Sequence, residues 1–105
     1  MDAKISTASI HEGLDFACSL LSSAIYAEAE SDPSKACSLL QCLTRYIELR
    51  YVGELLLALE YLADLGRSCK QENDRSMQFW RQLNWVAEEM QLSSDELQGI
   101  GLPNA

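Results

Sequence analysis

The chain has 105 residues, 48% of them hydrophobic, with 16 acidic against 8 basic side chains and a formal net charge of −8. These totals fit one folded domain with a modest core and exclude a disordered chain. They argue against nucleic acid or anionic membrane as a partner, because a phosphate-binding surface must supply positive charge that is scarce here, and they favour a basic partner instead.

No run approaches the length of a transmembrane helix. The opening residues, Met1-Asp2-Ala3-Lys4-Ile5-Ser6, have neither a basic n-region nor an apolar h-region, so a cytoplasmic location is expected. Cys18, Cys37, Cys42 and Cys69 form no C-x-x-C pair, and the one histidine is His11. That spacing predicts reduced thiols that pack as small apolar groups, with neither a disulfide framework nor a zinc site.

In chain order, residues 1–9 read as a polar arm. The first helix is expected from residue 10 or 12 to residue 29. Its stripe is Ile10, Leu14, Ala17, Cys18, Leu21, Ala24 and Ile25, with Phe16 and Leu20 forming a second stripe that is expected to be buried as well. Glu28, Glu30 and Asp32 crowd its C-terminal end, where the helix dipole disfavours negative charge, and they form a candidate second acidic patch for a partner. Asp32-Pro33 is a strong helix start, an N-cap followed by a proline that suits the first turn. The second helix is expected over residues 33–49 with Ala36, Leu39, Leu40, Leu43 and Ile47 facing the core.

A break is expected near residues 50–53, because Gly53 weakens a helix by about 1 kcal/mol relative to alanine. The third helix is the most apolar stretch, residues 52–66, and is expected to be central. Val52, Leu55, Leu56, Leu59, Leu62 and Ala63 make its stripe, and Gly66 reads as its C-cap before a polar loop over residues 67–73. Asn73 or Asp74 can cap a fourth helix ending near residue 91, with Phe79, Trp80, Leu83, Val86, Ala87 and Met90 inward and Trp85 off the stripe. Ser93-Ser94-Asp95-Glu96 is a capping-box sequence that opens a short fifth helix through Leu97, stopped by Gly99 and Gly101, with residues 101–105 as a tail. No strand-like alternation occurs. The predicted fold is all-α, a single domain over residues 1–105: an antiparallel bundle of four main helices plus a short C-terminal helix.

Nothing in this pattern assembles an active site. One histidine removes most triads, the glycines are punctuation and not a phosphate loop, and no Glu-x-x-His spacing occurs for a di-metal bundle. No catalytic residue, metal site or cofactor is expected, and a carboxylate-only metal enzyme is a remote third reading. Protein binding is the better reading. Leu57 and Tyr61 share the second face of the third helix with Glu54, Glu60 and Asp64. Burying three unpaired carboxylates would cost several kcal/mol each, so this face should be wet or meet a basic partner. Aromatic side chains ringed by charge are typical interface anchors.

The run Gly53-Glu54-x-x-x-Ala58-Leu59-Glu60-x-Leu62 resembles a motif of small all-α immunity proteins from bacterial polymorphic toxin systems, among them Maf-type and contact-dependent growth inhibition systems. Leu83-x-x-Val86-Ala87-x-x-Met90-x-Leu92 and the Ser93 capping segment stand where that family has its next helix and its short final helix, so the resemblance spans residues 44–100. It implies an inhibitor and not an enzyme, one that binds a cognate toxin domain, often a nuclease, and occludes its active site or substrate surface. Glu54 and Glu60 are the residues carried over. A nuclease that grips phosphates is commonly basic, and opposite charge would speed its capture. The alternative is a helical interaction adaptor or chaperone subunit; a homo-oligomer is weighed and not favoured.

Overall fold

The computed structural model describes residues 7–69 and 74–101, and all regular structure among them is helical: α1 (Thr7–Ser31), α2 (Pro33–Val52), α3 (Leu55–Ser68), α4 (Asp74–Glu89) and α5 (Ser94–Ile100). Among these residues no helix is long and apolar enough to cross a membrane. The described chain is elongated, 49 × 29 × 22 Å, and its long axis has room for the roughly 37 Å of α1.

Helix α1 begins before the predicted boundary and ends two residues beyond it. Nothing breaks it until Asp32, which precedes a proline and is therefore pushed out of helical backbone, at φ −139° and ψ 85°. The same Asp32 caps α2, its carboxylate accepting from the Ser34 backbone N–H at 3.2 Å with proline in the first turn. Helix α2 then runs to Val52, three residues past its predicted end. Gly53, at φ +87°, closes it with Gly53 N–H on the Arg50 carbonyl and Glu54 N–H on the Leu49 carbonyl. Val52 is thus the last residue of α2, 68% exposed, and not part of the third helix's stripe.

Helix α3 does not stop at Gly66. That glycine is buried inside the helix, and a Cβ on it would fall onto the Phe79 ring of α4. Its role is close approach between helices, and the chain leaves helical backbone only at Cys69. Arg67 and Ser68, predicted as loop, form the last turn; residues 70–73 lie outside the described residues. Helix α4 ends at Glu89, two residues short of prediction, and Gln91 takes a left-handed φ of +57°. At α5 both bonds of the capping box are present: Glu96 N–H to Ser93 Oγ at 3.2 Å and Ser93 N–H to Glu96 Oε1 at 2.9 Å. The helix continues past Leu97 through Gly99 to the buried Ile100 and is closed by Gly101 at φ +77°.

Helices α1 and α3 each pack against the other and against both α2 and α4. The buried side chains form one cluster, drawn from all five helices. Ile10, Leu14, Ala17, Leu21, Ala24 and Ile25 supply it from α1 as the periodicity predicts, and Leu59, Leu62 and Ala63 from α3, joined by Ala58 and Leu65. From α4 come Phe79, Leu83, Val86 and Ala87, with Trp80 edge-on to Phe79 at a centroid separation of 4.9 Å. Arg67 Nη1 donates to the Ile100 carbonyl at 2.9 Å and so ties α5 to the end of α3.

Two expectations about burial fail. Helix α2 is turned in part from its predicted stripe: Leu39 is buried and Leu43 half-buried against the core as expected, but Tyr46 and Leu49 are buried in place of Leu40 and Ile47, which are 57% and 53% exposed. Phe16 is 55% exposed and Leu20 only half-buried, so the second stripe of α1 is largely a surface.

The two kinds of glycine should respond oppositely to alanine. Gly66→Ala is expected to lower stability by about 1–3 kcal/mol, because Phe79 is fully packed and cannot yield. Gly99→Ala, inside α5 with open space around it, should raise stability by up to about 1 kcal/mol. Urea unfolding of the two variants beside the parent checks both signs.

Candidate protein-binding faces

Helix α3 buries one broad arc and leaves a narrow outer one. Glu54, Leu57 and Asp64 are exposed on it, and Glu60 and Tyr61 are half-buried at its margins. Glu54 is the N-cap residue of α3 but makes no side-chain cap bond. Neither Glu54 nor Glu60 has an ion-pair partner among the described residues. Asp64 is different, because it pairs with Arg67 one turn along, the same arginine that holds the end of α5. Tyr61 leans toward α2, where it borders a shallow depression with Ser38, Gln41, Cys42 and Arg45. The Cys42 thiol donates to the Tyr61 carbonyl at 3.4 Å. The face therefore carries two uncommitted carboxylates, one carboxylate already answered, and the partly exposed Leu57 and Tyr61 between them.

Of Glu28, Glu30 and Asp32, two are already engaged within the chain. Glu28 is only 14% exposed and pairs with Lys35 at 3.1 Å, and Lys35 also reaches the Ser68 carbonyl at 3.5 Å. Asp32 is committed to capping α2. Glu30 alone of the three is exposed without such a role. The dipole conflict predicted at the end of α1 is eased locally, by a lysine that follows in the next helix.

A second feature was not singled out from sequence. A groove runs along the α1–α2 seam. Toward the chain turn it is lined by Cys18, Ser22, Ile25, Tyr26, Leu40 and Leu43, among others, with a cavity volume of about 240 Å³. Cys18 and Ser22 also line its continuation, which reaches Asp15, Tyr46, Ile47 and Arg50. The small side chains Ser22, Ala29 and Ala36 make the depression, and Tyr26, 72% exposed, stands beside it. The signal for it lay in α2 itself: of the apolar stripe Ala36, Leu40, Leu43 and Ile47, Leu43 packs against the core while Leu40 and Ile47 are turned out beside the groove.

The far end of the groove is closed by polar contacts. Arg50 Nη2 donates to Asp15 Oδ2 at 2.6 Å, and the Tyr46 hydroxyl makes a long bond to Asp15 Oδ1 at 3.4 Å. Burial first, then the neighbouring Cys18 and Asp15, hold the Tyr46 phenol above its ordinary value against the opposing pull of Arg50. Burial likewise raises the thiols of Cys18, Cys42 and Cys69, with Asp15, Asp64 and Glu28 adding to it in turn. These are packing thiols, poorly suited to nucleophilic chemistry. Among the described residues no group of three or more His, Cys, Asp or Glu side chains is placed to hold a metal ion.

In comparisons with protein-family models, curated proteins and solved structures, the chain matches none.

The raised thiols and phenol set an alkaline limit. Their folded values lie above the unfolded ones, so the folded protein holds these protons more tightly. That stability is complete below the unfolded thiol value of about 8.5 and is lost as pH rises through the folded values. The urea midpoint should therefore fall steadily from about pH 8.5 upward. At neutral pH a thiol-reactive disulfide dye should label the exposed Cys37 quickly and Cys18, Cys42 and Cys69 slowly; four equally fast thiols would contradict the packing.

Proposed function

We propose that this chain is a binding protein and not an enzyme: an immunity protein that neutralises a cognate basic toxin domain, a nuclease, by covering its active site or substrate surface. In this reading an antiparallel bundle of the four main helices presents the outer face of α3. The observation that carries it is the pair of uncommitted carboxylates, Glu54 and Glu60, flanking Leu57 and Tyr61 on an exposed helix face of a chain with net charge −8. Apolar side chains supply desolvation energy at the centre of such a contact, and the flanking charges set its rate and its choice of partner. The motif resemblance falls on the same helix and names the same two glutamates. Asp64 plays a lesser part here, because its charge is already answered by Arg67.

The partner sought is a toxic domain encoded beside this chain, at the end of a larger exported protein. Purified together, the two should form a complex whose association rate falls at least about tenfold between low and high salt, as screening shortens the attraction. Glu54→Lys with Glu60→Lys should slow association at least about tenfold and abolish protection of cells. Asp64 is left intact in that variant so that α5 keeps its anchor. If the double variant protects as well as the parent, with helix content unchanged, the outer face of α3 is not the binding face.

A further inference from the structure

We propose that α5 is a strap: latched to the end of α3 by Arg67, it opens as a unit, by melting, while the four longer helices stay folded. This does not rest on the immunity reading.

Helix α5 is a small element with few anchors. Only Ile100 of its residues is buried and Leu97 half-buried, whereas Ser94, Asp95, Glu96, Gln98 and Gly99 are exposed. A helix this short is not stable by itself, because its few hydrogen bonds cannot offset the cost of nucleation. The capping box steadies the first turn without joining it to another helix. Docking and helix formation are therefore a single event, and so are undocking and melting. The four longer helices pack on one another directly, so the body keeps its own contacts when α5 leaves.

The near end of the strap is its hinge. The chain leaves α4 through Gln91, at φ +57° the only non-glycine residue of positive φ among the described residues. A side chain is disfavoured in that region, so this turn does little to hold α5 down. The far end is the latch. The last carbonyls of a helix have no partner inside it, and α5 carries no basic residue in its last turn to answer them. Arg67 of α3 answers them from outside, Nη1 donating to the Ile100 carbonyl at 2.9 Å and, more distantly, to the Gly101 carbonyl at 3.5 Å. Nη2 of the same guanidinium pairs with Asp64, which keeps the planar fork turned toward α5. The apolar anchor and the carbonyl anchors thus fall on consecutive residues, Ile100 and Gly101, at the end away from the hinge. Opening uncovers the seat of Ile100 in the core and returns Arg67 to solvent.

Amide hydrogen exchange of the full chain, followed residue by residue at neutral pH in zero to about 1 M urea, tests this. The amides of residues 97–101, which include Leu97 N–H on the Ser93 carbonyl and Gly101 N–H on the Leu97 carbonyl, should exchange more slowly than an unstructured chain. They should still exchange at least about 100-fold faster than the slowest amides of α1 and α3, and urea should barely accelerate them, because a local opening exposes little surface. Arg67→Ala and Ile100→Ala should each speed them at least about tenfold, and Gly99→Ala should slow them about two- to fivefold. Leu39→Ala, on the buried side of α2, should speed the slowest amides of α1 and α3 at least about tenfold and leave those of α5 unchanged. The proposal is overturned if α5 exchanges in step with α1 and α3, or if Leu39→Ala speeds all of them alike. It is equally overturned if Arg67→Ala leaves residues 97–101 as they were, or if those amides are unprotected in the parent.

Discussion

The orientation of α2 about its own axis is set by a polar constraint. Tyr46 is almost fully buried, and a buried phenol needs a partner for its hydroxyl. The partner is Asp15 of α1, and Arg50, one turn along α2, reaches the same carboxylate. Arg50 gives up solvent to do so: its Nε is the only buried side-chain nitrogen or oxygen without a hydrogen bond among the described residues. Tyr46 and Leu39 then occupy the inward line, Leu49 follows, and Leu40 and Ile47 are turned outward. The seam groove is thus a consequence of where one carboxylate stands on α1. The loss of apolar burial on α2 is offset by a large aromatic ring and a charge-assisted bond across 35 residues of sequence.

This division of surfaces gives the molecule two chemically distinct sides. The outer arc of α3 is charged, with Glu54 and Glu60 uncommitted. The α1–α2 seam is apolar and electrically closed by Asp15 and Arg50. A contact to the outer arc of α3 would be sensitive to ionic strength, whereas the seam offers almost no net charge for salt to screen.

Much of the fold is legible in the residues, for identifiable reasons. The main apolar stripes of α1 and α4 carry their buried residues at regular helical spacing, so periodicity alone locates them. Asp32-Pro33 and the Ser93 box carry their own local chemistry and need no tertiary information. The difficult positions are those decided across helices. Ile47 outscores Tyr46 as a core residue on hydrophobicity, and nothing near Tyr46 in sequence announces Asp15. Gly66 reads as a stop because glycine is common past helix ends, whereas its use is to let Phe79 in. Glu28 reads as surface charge because Lys35 lies beyond a proline in the next helix. The outer face of α3 was legible as acidic and aromatic. That Asp64 is occupied by Arg67, and Arg67 by the end of α5, was not.

Helix α4 is held in an unusual way for so polar an element. Near one end its Phe79 presses on Gly66 of α3; farther along, Trp85 and Val86 sit over Gly13 of α1, where a Cβ would come within 2.8 Å of each. Gln82 adds a bond to the Gly13 carbonyl at 3.1 Å. The two glycines act as notches that index the helix from two different neighbours. A helix seated by notches cannot creep: sliding by a turn would bring ring atoms against side chains at every intermediate position. Two positions that carry no side chain at all, on helices other than its own, keep it in place.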